Sequence, residues 1–178
     1  LLLLVNTGSE SSRTIANHYV ELRKIPPQNV FYVNWRGGLA AARAAKFRDH
    51  ILAPAIKWME DRQITAQIDY LIYSSDFPTR IDLQEFFPPG REHSRLNSSG
   101  SLTGLTYLAP YVLNQEPALT ASNANWYVPG PRSTNLTACT QLANVPTRGF
   151  RAVYLWDEAG AHTKDPTKGQ RYLLSTIL

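Results

Sequence analysis

The sequence predicts a Rossmann-like three-layer α/β domain built on a mostly parallel sheet, with a large irregular insertion. Two observations carry this fold class. Apolar runs of strand length alternate with amphipathic helical segments as far as Tyr73, and the connections between them are short. Such alternation calls for right-handed crossovers that lay helices over the sheet faces. The 178 residues, 43% hydrophobic and 18% charged, suffice for one domain with a core and exclude wholesale disorder, collagen and coiled coil. The expected organisation is a single domain over 1–178, forming the N-terminal part of a longer protein, with residues 82–147 as the insertion.

Leu1 to Val5 is a continuous apolar run that ends in turn and cap residues, Asn6-Thr7-Gly8-Ser9-Glu10. Thr7 with Glu10 fits a capping box, and Ser9 is the rival cap. From Ser11 to Lys24 the residues Ile15, Ala16, Tyr19 and Leu22 recur at helical spacing, Arg23 and Lys24 suit the negative helix end, and Pro26-Pro27 stops the helix. Asn29 to Trp35 holds the compact strand Val30-Phe31-Tyr32-Val33, followed by an Arg36-Gly37-Gly38 turn. Leu39 to Arg62 reads as one long amphipathic helix. Pro54 lacks a backbone donor, so a kink near His50 or two abutting helices are expected there.

Ile68 to Tyr73 is the third strand, and Ser74-Ser75-Asp76-Phe77-Pro78 follows it. Phe86-Phe87-Pro88-Pro89-Gly90 then breaks the pattern. Ser101 to Leu113 suits a short helix carrying Leu102, Leu105, Leu108 and Val112, and residues 114–147 run loop-like around Trp126 and Tyr127. Long irregular insertions in compact domains are usually functional or face a partner. Arg148 to Trp156 and Arg171 to Leu178 read as two further strands around a polar loop.

The net charge is +4, and its location matters more than its size. Residues 1–62 hold nine Lys/Arg against five Asp/Glu, whereas 63–178 hold nine of each, so all of the excess lies early. Arg43, His50 and Lys57 recur every seven residues opposite Phe47, Ile51, Ala55 and Trp58, which is the pattern of a solvated helix face. Nucleic acid is therefore not the expected partner. No stretch approaches the roughly 20 apolar residues of a membrane-spanning helix. One cysteine, Cys139, excludes an internal disulfide, and no Cys/His group has zinc spacing. No metal or cofactor is expected.

In open parallel sheets ligands bind outside the carboxyl ends of the strands. That rule gathers Asn6, Thr7 and Ser9 after the first strand, Asn34 and Arg36 after the second, and Ser74, Ser75 and Asp76 after the third, with Arg80 close behind. Asp157, Glu158 and His162 join them if the strand at Arg148–Trp156 runs in the same sense. Asn6-Thr7-Gly8-Ser9 at a helix start suits either a plain cap or a cradle for a carboxylate or phosphate, although it is neither a P-loop nor a dinucleotide motif. Ser75 and Asp76 are the candidate catalytic pair. Asn6, Thr7, Ser9, Ser74, Arg80 and Asp157 are the candidate ligand-binding residues. Cys139 with His93 or His162 is a weaker thiol dyad, and Asn97 and Asn135 open glycosylation sequons.

Several blocks together carry a resemblance: Asn6-Thr7, Ser11-Ser12-Arg13-Thr14-Ile15-Ala16-Asn17-His18-Tyr19, Arg23-Lys24-Ile25-Pro26-Pro27-Gln28-Asn29-Val30 and Asp69-Tyr70-Leu71-Ile72-Tyr73-Ser74-Ser75-Asp76-Phe77-Pro78. Gly100 to Leu108, Gly149-Phe150-Arg151 and Arg171 to Thr176 extend it. These resemble an uncharacterised family of exported bacterial proteins found chiefly in planctomycetes. The resemblance implies export to the periplasm or beyond, removal of a signal peptide, and a second α/β half after the last strand; it carries over no catalytic residue. The early strand order is also similar to that of caspase-like and gingipain-like peptidases, but their His-Gly does not occur here.

The expected function is a binding or assembly component of an extracytoplasmic complex, with a protein partner or a second copy. The alternative is a hydrolase of esters, peptides or glycans whose site a second half completes.

Overall fold

A computed structural model describes residues 1–87, 98–115 and 150–155 of the chain. Four parallel strands, β1 (Leu2–Asn6), β2 (Val30–Val33), β4 (Tyr70–Tyr73) and β7 (Arg151–Tyr154), form a sheet in the order β2-β1-β4-β7. A second sheet joins β3 (Ala41–Arg43), β5 (Arg80–Asp82) and β6 (Ser99–Ser101), with β3 parallel and β6 antiparallel to β5. The chain is thus an α/β protein with a mostly parallel principal sheet.

β1 is buried along its whole length, which is why it reads as an unbroken apolar run and not as an alternating one. Its successive side chains feed two separate cores. Leu2 and Leu4 join Leu71, Tyr73, Phe47, Ile51, Ala55 and Met59 in the larger one. Leu3 and Val5 pack with Val30, Ile72, Ala16 and Tyr19 in the smaller. Fully burying one such leucine is worth about 1.5–3 kcal/mol, so β1 anchors both faces.

Helix α1 (Glu10–Arg23) supplies Ala16 and Tyr19 to the smaller core. Its N-cap is Ser9, whose Oγ accepts from the Ser12 amide at 3.0 Å, so the rival cap and not the Thr7–Glu10 box starts this helix. The buried stripe is Ser12, Ala16 and Tyr19; Leu22, expected inside, is 54% exposed.

The expected helix over Leu39–Arg62 starts later, because Ala41–Arg43 is taken by β3. Helical structure then runs through α2 (Ala44–Phe47), a π turn (Arg48–Leu52) and α3 (Ala53–Asp61). The Ala53 amide reaches back five residues to the Arg48 carbonyl, and this widened turn directly precedes Pro54. A proline ring crowds the carbonyl four residues before it, and the wide turn makes that room, so the predicted kink near His50 takes the form of a π turn. Lys57 pairs with Asp61 at 2.9 Å and Arg48 with Asp49 at 2.6 Å, while Arg43 and His50 are exposed. Acidic neighbours thus offset part of the basic face.

Within the expected insertion, residues 98–115 are regular. They form β6, α4 (Leu102–Tyr107) and α5 (Ala109–Leu113), and leucines 102 and 105 with Ala109 and Val112 enter the larger core. Tyr73 crosses from β4 to α4 through a 2.8 Å bond to Thr106, whose hydroxyl also donates to the Leu102 carbonyl. No helix among the described residues is long and apolar enough to cross a membrane.

Candidate functional site

The order β2-β1-β4-β7 changes direction between β1 and β4, since the chain steps outward from β1 to β2 and then returns to the other side. Such a reversal opens a crevice at the carboxyl ends of the two central strands, which is where open parallel sheets bind ligands. Asn6 ends β1 at this point, and Ser74-Ser75-Asp76 follows β4. The structure therefore brings these predicted residues together.

Asn6 is the hub. Its side chain is 2% exposed. Its Oδ1 accepts from the Gly8 amide at 3.0 Å and the Trp35 amide at 3.1 Å, and its Nδ2 donates to the Asp76 carbonyl at 2.7 Å. One amide thus ties together the segments that follow β1, β2 and β4. Its backbone N–H donates to Ser12 Oγ at 2.9 Å, and Ser12 Oγ in turn bonds the Ser74 hydroxyl, both serines being fully buried. Thr7 donates to the Val33 carbonyl from its backbone at 2.8 Å and from its hydroxyl at 3.3 Å. Asn6, Thr7 and Ser74 spend these bonds on holding the carboxyl edge together. Gly8 fits the tight turn above it, where a Cβ would stand 3.1 Å from the Trp35 carbonyl oxygen.

Ser9 and Asp76 meet over the start of α1, where the Ser9 hydroxyl donates to Asp76 Oδ2. With Glu10 in the first turn, this carboxylate already offsets the positive helix end. Of the two readings of this turn, Ser9 makes the plain cap, and the Asp76 carboxylate lies over it. Asp76 holds φ at 64°, a left-handed conformation that costs a non-glycine residue of order 1 kcal/mol, and Asp is among the residues that tolerate it best.

Phe77, next in the chain, is clamped twice by Tyr154 of β7: its amide donates to the Tyr154 hydroxyl at 2.9 Å, and that hydroxyl donates to the Phe77 carbonyl at 2.7 Å. Burial pushes the Tyr154 and Tyr73 hydroxyls well above the usual phenol range, with Thr106 bonding pulling Tyr73 partly back. Both act as neutral groups.

Ser75 is the exception. It is 5% exposed, and its Oγ is buried without a hydrogen-bond partner among the described residues, although Ser74, Asp76 and Phe77 around it are all fixed. The described histidines, His18 and His50, lie along helical segments well past their first turns, so neither stands beside Ser75 as a base at this edge. Arg36 donates to Asn34 Oδ1 at 3.3 Å on the exposed rim, and Arg13 donates to the Thr7 carbonyl at 3.2 Å. Arg80 lies on β5 in the second sheet, exposed, opposite Ala41 and Ser101, and shares no hydrogen bond with the cluster. β7 runs parallel to β4, the sense that Asp157 requires, but Asp157, Glu158, His162, Cys139, His93, Asn97 and Asn135 lie outside the described residues. Among the described residues no group of three or more His, Cys, Asp or Glu could hold a metal ion.

Sequence reasoning missed Ser12, Trp35 and Tyr154. Ser12 was findable, because it lies four and seven residues before Ala16 and Tyr19 and so shares their buried helix face. Trp35 contributes a backbone amide and Tyr154 a bond across 77 residues, and neither leaves a local signal. No protein-family model, curated protein or solved structure matches the chain.

Proposed function

We propose that this chain is a Rossmann-like three-layer domain of an exported protein that acts as a binding or assembly component of an extracytoplasmic complex, its ligand seated at the carboxyl edge between β1 and β4. The observation that supports recognition over turnover is the state of the polar cluster. Apart from the Ser75 hydroxyl, its hydroxyl, amide and carboxylate groups bond one another, and a nucleophile needs a base within hydrogen-bond reach. Export rests on the family resemblance of the sequence blocks, and a protein partner or a second copy is the expected associate.

The test is a turnover panel of ester, peptide and glycan substrates run beside binding measurements on the same protein, together with cell fractionation. Saturable binding without turnover, in an extracytoplasmic fraction, is the expected result. Turnover abolished by Ser75→Ala and Asp76→Ala would overturn it in favour of a hydrolase. One observation favours that second reading: Ser75 is a buried hydroxyl without a partner among the described residues, followed by a residue at positive φ.

A further inference from the structure

We draw no further inference here: the strongest candidate, the exposed apolar patch that Tyr70 of β4 and Val153 of β7 form beside Arg151 on the principal sheet, carries nothing because nothing among the described residues shows what covers it.

Discussion

Replacing Ser75 by alanine should make the protein more stable, contrary to the usual result of mutating a buried residue. Ser75 is 5% exposed and its side-chain oxygen has no partner among the described residues, so folding strips the hydroxyl of water and returns no bond. That penalty is about 1–3 kcal/mol for a neutral group. Alanine removes it and leaves behind only the small void of one oxygen, for a net gain of about 1 kcal/mol. In a domain of this size that raises the midpoint of thermal unfolding by about 2–4 °C. Urea unfolding and thermal melts of wild type and variant in one buffer measure it, with Ser12→Ala and Ser74→Ala as contrasts. Those two serines bond each other in full burial, so each substitution strands a partner and should cost about 1–2 kcal/mol. If Ser75→Ala instead lowers stability by about 1 kcal/mol or more, the hydroxyl is bonded in the folded protein and this reasoning is refuted.

Other perturbations test the clamp around it. Asn6→Ala removes three side-chain bonds and strands the Gly8 and Trp35 amides, which should cost about 3 kcal/mol or more by urea unfolding; a loss below about 1 kcal/mol would mean the hub is dispensable. Gly37→Ala drives a Cβ into the buried Trp35 indole, so it should destabilise by about 1–3 kcal/mol and shift the tryptophan fluorescence, and an unchanged spectrum and melt would contradict that packing. Tyr73 and Tyr154 ionise less readily when folded than when unfolded, so the unfolded state releases their protons first as pH rises. Stability should be unaffected by them below about pH 10 and fall above it by about 1.4 kcal/mol per pH unit for each tyrosine, a slope that Tyr154→Phe halves; a melt insensitive to pH between about 10 and 11 would refute it.

The two central strands of the principal sheet were legible because they are buried on both faces for most of their length and therefore read as apolar runs: Leu1–Val5 against the observed Leu2–Asn6, and Ile68–Tyr73 against Tyr70–Tyr73. The second sheet was not legible. Its strands are three residues each, and Arg80-Ile81-Asp82 offers a single apolar side chain, too little for any periodicity to show. The same shortness hid Ala41–Arg43 inside a convincing helical pattern. At the site, residue types and strand ends were enough to gather Asn6, Ser9, Ser74, Ser75 and Asp76. Their roles were not legible, because each role is set by a partner far away in sequence, Asp76 lying 70 residues from Asn6 and 67 from Ser9. Nothing local to Asn6-Thr7-Gly8-Ser9 says that a carboxylate from beyond β4 meets the Ser9 hydroxyl.

The central claim is that ligands enter at the carboxyl edge between β1 and β4. The most direct measurement is a fragment screen by amide NMR on the full chain, scored by where the shifts fall. The account predicts shifts concentrated at Asn6, Ser9, Ser75, Asp76 and Phe77. Shifts concentrated instead on the basic face marked by Arg43, His50 and Lys57, with this edge unchanged, would contradict it.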